Sequence, residues 1–343
     1  MNDSILINNK LRMKESNTNL VLSTLHQVNS ATCAEVSKLT GLSIATCGNI
    51  LKRLLDSGEV LEGNFESYSS GRPAKKYVYN ENFSLITAVT LHSENSSRYL
   101  QYAVANLYGD IIEHKTQTFD HIKFDTINDI IRKSIDDYKK IKAVGIGLPA
   151  VINKKGDIIN SDINEINDSN ILDLTGNLSE NIETAANSSP AVSIYGYHKN
   201  HPELKNKVSV SLLCPSDPIG AGIVINDQIY NGDFNIGGEV GFICNKFFND
   251  FLSVRYDQND KIKNVIFAIA SIVSTINPTT IVLMGADFSK ELFSKIYDCC
   301  KSLFPLDFFP ELVLLNDYSD VYLNGTVQIA IDCLKPKIRL VAR

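Results

Sequence analysis

The chain has 343 residues, too many for one small core, and its length points to two or three domains. With 44% hydrophobic and 21% charged residues it is not a disordered chain, and a net charge of −6 argues against a protein coated in nucleic acid. The charge is split: residues 1–80 carry nine Lys/Arg against seven Asp/Glu, which leaves the remainder near −8, the sense expected of a DNA-binding head on an acidic body.

The opening MNDSILINNK is polar and lacks a signal-peptide core, and no apolar run approaches 18 residues. A cytoplasmic protein with no membrane partner is expected. The seven cysteines are scattered apart from the adjacent Cys299 and Cys300, with no CxxC pair and no Cys/His spacing of the zinc-site kind. Free thiols and no metal are therefore expected.

In chain order, residues 1–16 read as a loose arm. A helix follows with Val21, Leu25 and Val28 on one stripe and Leu22 and Thr24 beside it, ending near Asn29 and Ser30. Residues 32–80 then read as a helix, a tight turn, a second helix and a β-wing. Gly41 stands where the turn needs a residue tolerant of positive φ, Leu42 plugs the core, Ser43 is placed to cap the second helix, and Gly58 stops it.

On the second helix the periodicity predicts Ile44, Cys47, Leu51, Leu54 and Leu55 inward, and Ala45, Thr46, Asn49, Lys52 and Arg53 outward. The outward face is small and polar first and basic later, which suits a recognition helix entering the major groove by its N-terminal end. Ser43, Ala45, Thr46 and Asn49 mark that end, with Ala45, Thr46 and Asn49 as base-edge candidates. Lys52, Arg53, Arg72, Lys75 and Lys76 are candidates for phosphate or minor-groove contact. Arg72, Lys75 and Lys76 belong to the tip Ser69–Lys76, cationic and free of acids, between strands at Val60–Leu61 and Tyr77–Tyr79.

Beyond residue 80 the pattern is mixed α/β. Strands are predicted at Leu85–Leu91, Tyr99–Leu107 and Ile111–Phe119, a helix at Asp125–Lys140, an apolar buried strand at Ala143–Pro149, a hairpin at Asn153–Asp157 and a short helix at Asp173–Asn181. A second lobe from about Lys207 has strands at Val208–Cys214 and Ile219–Asn226. It continues with a helix at Lys263–Ile276, a strand at Thr280–Met284, a helix at Ser289–Leu303, a strand at Leu312–Leu315 and a helix at Val321–Leu334. Hairpins followed by alternating helix and strand, twice over, predict two related α/β lobes. The domains are 1–80, 81–206 and 207–343, with the closing helix able to pack back on the first lobe.

These pieces resemble the ROK family of sugar-responsive repressors and sugar kinases over nearly the whole chain. The carrying motifs are Thr40–Ser43, the Gly71-Arg72-Pro73 tip, Gly145–Pro149 followed by Gly156, Ile219–Asn226 and Asn235–Gly241. The resemblance implies an N-terminal winged helix-turn-helix plus a two-lobed actin-like ATPase (ribonuclease H-like) domain. It further implies a homodimer or homotetramer, a double-stranded operator as partner, and a sugar or sugar-phosphate effector.

The departures from the family bear on function. Where family kinases have a glycine-rich phosphate turn, Leu91–Ser97 has no glycine and adds Glu94. Glu183–Asn187 replaces the Glu-Asn-Asp-x-Asn motif and puts Ala185 at the general-base position, where a methyl group accepts no proton. Phe242 stands where the zinc segment has its His, Cys244 is alone, and the span from Gly241 to Asn277 is short. A non-enzyme without cofactor is implied.

Glu239 matches the family's sugar-binding glutamate and reads equally as a hairpin residue; Asn187 reads as a pocket residue or a turn. Gly220 and Gly222 read as cleft lining or as hairpin glycines, and His92 and His121 as lone histidines. The leading expectation is a transcription regulator of carbohydrate-related genes, most simply a repressor. A kinase with a DNA-binding head and a ligand-blind dimerising protein are the alternatives.

Overall fold

A computed structural model describes residues 2–66, 74–94, 97–175, 178, 181–213, 219–241, 258–286, 288–304 and 306–335. They fall into two compact units, residues 2–84 with 335, and residues 85–334.

Residues 2–28 contain neither Gly nor Pro, and Leu11 to Glu15 are good helix formers. They form one helix, α1 (Asn2–Val28), where a loose arm was expected over the first sixteen residues. Val21 and Leu25 of α1 are fully buried, whereas Val28 is exposed at the helix end. A three-residue strand that the sequence pattern does not signal, β1 (Ser30–Thr32), leads into α2 (Cys33–Thr40) and α3 (Ile44–Ser57). Then β2 (Val60–Glu66) and β3 (Ala74–Tyr79) form an antiparallel ribbon, and β1 adds to its free side in the order β1-β3-β2. Val21, Leu25, Val36, Cys47, Ile50, Leu51, Leu54 and Val60 make the core of this unit.

The second unit holds two five-stranded sheets of the same plan. In the first lobe β4 (Leu85–Glu94), β5 (Ser97–Ala105) and β6 (Ile111–Phe119) run antiparallel. After α4 (Phe124–Asp137), β7 (Ile141–Leu148) joins β4 in parallel. The minor hairpin of β8 (Val151–Ile152) and β9 (Ile158–Ile159) and the five-residue α5 (Ile171–Thr175) precede β10 (Glu183–Ser188), parallel to β7. The sheet order is β10-β7-β4-β5-β6.

Helix α6 (Ser189–Asn200) then crosses to the second lobe, built from β11 (Ser209–Leu213), β12 (Gly220–Ile225), β13 (Gln228–Ile229), α7 (Gln258–Thr275), β14 (Thr280–Met284), α8 (Lys290–Leu303) and β15 (Glu311–Leu315). Its order is β13-β12-β11-β14-β15. With strands numbered within each lobe, both sheets read 3-2-1-4-5, three antiparallel strands followed by two parallel ones. No described helix is long and apolar enough to cross a membrane.

The closing helix α9 (Ser319–Leu334) packs Leu323, Val327, Ala330 and Ile331 against Ile86, Ala88, Ala103 and Ala143 of the first sheet. Val192, Ile194 and Tyr195 of α6 pack with Leu213, Val224 and Val282 of the second sheet. Helices α4, and α7 with α8, cover the outer faces of the two sheets. Thus α6 and α9 lie against each other between the lobes. The Tyr195 hydroxyl donates to Asp332, and the fully buried Tyr322 hydroxyl donates to the Leu91 carbonyl at 3.1 Å.

Candidate functional site

Two places bring sequence-predicted residues together, the exposed face of α3 and the cleft between the lobes.

The α2–α3 corner is fixed by local bonds. Thr32 and Glu35 form a reciprocal cap on α2: the Thr32 N–H donates to Glu35 Oε2 at 2.8 Å, and the Glu35 N–H to Thr32 Oγ1 at 3.3 Å. These bonds hold the Glu35 carboxyl below the usual range, helped by the charge of Lys76. Gly41 adopts φ 72, the left-handed turn that a Cβ would strain. Ser43 caps α3 by accepting the Thr46 N–H at 3.1 Å. Cys47, Ile50, Leu51 and Leu54 of α3 point inward.

Ala45, Asn49, Lys52 and Arg53 are exposed, as is Ser43. Thr46 is half-buried, and its hydroxyl shares a 2.8 Å bond with Ser43. Ile44 corrects the sequence reading: it is 62% exposed, and Ile50, not predicted inward, takes a core place. The first turn of α3 carries no acid, so the positive end of its dipole is uncompensated within the helix.

Arg53 lines an open groove with Lys14, Glu15, Thr18 and Asn19 of α1. Lys75 is paired with Glu62 across the ribbon and stands 5.5 Å over the Tyr77 ring. An acid-free tip therefore still has an acid opposite it. Lys76 pairs in register with Thr32. Arg72 and the Gly71–Pro73 tip lie outside the described residues.

The cleft has a volume of about 50 Å³ and draws on both lobes. From the first come Pro149, Asn160 and Asp162; from the second, Leu213, Gly220 and Glu239; Ser188 and Ser189 line it at the junction of β10 and α6. Asp162 is held by its backbone, its N–H donating to the Pro149 carbonyl at the end of β7 at 3.0 Å. Ser161 Oγ donates to the same carbonyl at 3.1 Å, and Asn160 enters the turn at φ 50.

Glu239 is positioned by Gly238, whose φ of 102 and whose carbonyl, accepting the Ala221 N–H at 2.7 Å, press its loop onto β12. A Cβ at Gly238 would stand 2.1 Å from the Ala221 oxygen. Asp162 is open to cleft water on one side and crowded on the others, and this desolvation lifts its carboxyl to about 6. Glu239 is raised by burial first and by the charge of Asp162 second.

Asp162 was not singled out by sequence reasoning. It follows a minor hairpin in an Asn-Ser-Asp run that has no period and no recognisable spacing to Glu239. Asn187 is next to last on β10, but its Oδ1 accepts the Ser188 N–H at 2.9 Å, and Ser188 and Ser189 supply the cleft lining.

Ala185 lies on β10 opposite Gly145, with a methyl group in place of an acid. Gly222 is explained by packing: a Cβ there would meet the Pro190 oxygen at 2.1 Å, and Ser211 Oγ bridges the two, donating to that oxygen and accepting the Gly222 N–H. Gly220 does line the cleft.

His92 is half-buried against aromatic rings. It lies 4.6 Å edge-on to the Tyr322 ring, and desolvation lowers its pKa to about 4. His121 is exposed and meets Glu165 at 2.9 Å. A Ser–His–Asp row that sequence reasoning also missed joins Ser209, His198 and Asp227, each step 2.9 Å. Ser209 is fully buried, so the row braces α6 to the second sheet and exposes no nucleophile. Phe242 and Cys244 lie outside the described residues, and among the described residues no group of three or more His, Cys, Asp or Glu is arranged for a metal ion.

The architecture is that of a two-lobed α/β protein similar in fold to solved sugar kinases, preceded by a small helical unit with a β-ribbon. The sequence model of the ROK family matches residues 97–252. It is 25% identical over 259 residues to the xylose repressor of Caldicellulosiruptor bescii, a match covering 71% of this chain and 62% of the relative's length. Among solved structures it is similar to a ROK family transcriptional regulator described as a homologue of the Escherichia coli MLC protein. That likeness has a TM-score of 0.65 at 16% identity and covers 94% of this chain and 97% of that one. A ROK family glucokinase from Streptomyces griseus, in complex with glucose and AMPPNP, matches 73% of this chain and all of its own with a TM-score of 0.53 at 12% identity.

Proposed function

We propose that the chain is a sequence-specific DNA-binding transcriptional repressor of carbohydrate-related genes. Residues 2–84 act as a winged helix-turn-helix, and the α/β body senses a sugar-type effector. The observation that carries this reading is the α2–α3 corner. A tightly capped helix presents Ile44, Ala45, Asn49 and Lys52 to solvent, and an acid-free first turn leads. Asn49 and Ala45 are the base-edge residues, and Lys52 is a phosphate contact. Arg72, Lys75 and Lys76 extend the contact through the wing, Lys75 after leaving Glu62. Two copies in a homodimer or homotetramer place paired heads on paired half-sites.

The likeness to a xylose repressor and to a ROK regulator supports this reading over kinase activity. So does Ala185, which gives a phosphoryl acceptor no base. The test is capture of genomic fragments by the purified protein, beside Asn49→Ala and Lys52→Ala. Wild type should enrich a few palindromic sites. Asn49→Ala should relax selection at one position, at about 1–3 kcal/mol, whereas Lys52→Ala should weaken all sites evenly and lower the salt slope by about 1. Equal affinity for operator and random DNA at physiological salt would refute the reading.

The cleft volume of about 50 Å³ lies well under the ~300 Å³ at which ligand pockets usually begin, and it favours a second reading, a ligand-blind dimerising body. A thermal-shift screen against sugars and sugar phosphates separates the two, since a specific ligand raises the melting point by linkage.

A further inference from the structure

Two cations reach one groove from different helices. Lys14 stands on α1 and Arg53 on α3, with Glu15, Thr18 and Asn19 of α1 completing an open groove of about 510 Å³. Lys14 and Thr18 are four residues apart, as are Glu15 and Asn19, so α1 turns one face to Arg53. The Thr18 hydroxyl donates to the Lys14 carbonyl at 2.8 Å and orders the turn that carries the lysine. Among the described residues no acid pairs with Lys14 or Arg53, whereas Lys75 of the ribbon is held by Glu62. Arg53 lies one turn beyond Asn49 and next to Lys52 on the exposed face of α3. A helix that enters a major groove about 12 Å wide by its N-terminal end carries its later turns past the phosphates that wall it. The α1–α3 groove opens at those later turns.

We infer that this groove seats one phosphate of the DNA backbone, bound by Lys14 Nζ and the Arg53 guanidinium with the Asn19 amide as a neutral donor. This rests on the DNA-binding reading above and adds α1 to the interface. The seat is open to water, so a free phosphate gains little there, whereas a duplex holds its phosphate in place through the contacts of α3. Glu15 opposes the charge of the same phosphate and makes the seat weaker than two cations alone would. A backbone phosphate is the same in every sequence, so the seat adds affinity without sequence preference.

The experiment is fluorescence-anisotropy titration of the full-length protein against a captured operator and a random duplex of equal length, across a range of salt. Lys14→Gln and Arg53→Gln should each weaken both duplexes by one factor, about three- to tenfold, and lower the salt slope by about 1. The double variant should lose less than the product of the two, because both cations hold one phosphate. Glu15→Gln should tighten both duplexes, a gain that a damaged fold cannot give. A methylphosphonate, neutral in place of a phosphate and walked along the operator, should weaken wild type at one position to which Lys14→Gln is indifferent. Unchanged affinity and slope in Lys14→Gln, a loss confined to the operator, or unchanged or weaker binding by Glu15→Gln would overturn the inference. So would tight binding of inorganic phosphate by the DNA-free protein that Lys14→Gln abolishes, since the seat would then serve a free anion. Wild type that binds both duplexes equally refutes the regulator reading, and the variants still test the groove on random DNA. Operator selection that Lys14→Gln leaves untouched overturns the groove alone, and a wild type that binds neither duplex overturns both.

Discussion

Thr32 shows how much one side chain governs in the N-terminal unit. It is 3% exposed, ends β1, and caps α2 in a reciprocal pair with Glu35. Thr32→Ala should cost about 0.5–2 kcal/mol in the unfolding transition of that unit, measured by urea denaturation. Because the same bonds depress the Glu35 carboxyl, their stabilisation is present above the usual carboxylate range and fades as pH falls through the lowered value. The variant should therefore lose part of the wild type's acid sensitivity there. Cap chemistry of this kind is legible in a sequence because it acts within four residues, and Gly41 and Ser43 hold the places their types suggest. Ile44 was not legible. It shares a helical face with Cys47 and Leu51, but it sits in a first turn that projects past the core, and periodicity cannot tell where a core ends. Asp162 was hidden for another reason: it meets Glu239 through tertiary structure, across 77 positions of sequence.

The same divide runs through the elements. Strands such as Ile111–Phe119 and Thr280–Met284 have the bounds expected of them, because apolar or alternating runs between turn residues carry their own signal. Helix α6 carries almost none. Its residues Ser189–Gly196 are buried on every side, so no polar face marks a 3.6-residue period, and Val192 and Gly196 weaken its propensity. Packing decides it. At the crossing with α9, a Cβ on Gly325 would stand 1.9 Å from the Val192 oxygen, and one on Gly196 would stand 2.0 Å from the Val321 oxygen. Gly325→Ala should thus push two helices apart and destabilise the α/β body by about 1–3 kcal/mol, read as a lower urea midpoint. Gly48→Ala on α3 is the contrasting case. Its new methyl meets only Cys33 Sγ at 3.8 Å, so the gain in helix propensity should stabilise the N-terminal unit by up to about 1 kcal/mol.

At the scale of the whole molecule, two copies of a 3-2-1-4-5 sheet face each other across α6 and α9, and this body holds Asp162 and His92, whose ionisation departs far from that in water. They oppose one another in pH. Asp162 is raised to about 6, so its contribution is fully present below its unfolded value and is lost as pH rises through 6. His92 is lowered to about 4 by burial against Tyr318 and Tyr322, with Asp317 and Gln101 offsetting part of the shift. A histidine kept neutral in the fold binds its proton more readily when unfolded. Its contribution is present above about 6.5 and is lost as pH falls through 4. Between those limits the His92 contribution should weaken as acid is added, because the proton must displace a ring packed on Tyr322 or remain outside. His92→Gln keeps a polar group near Thr90 and Gln101 but cannot take up that proton. Melting temperatures of the two proteins should run parallel above pH 7 and converge between pH 6.5 and 4, the wild type falling faster. Parallel curves across the whole range would mean that His92 is protonated in the fold as readily as in the unfolded chain.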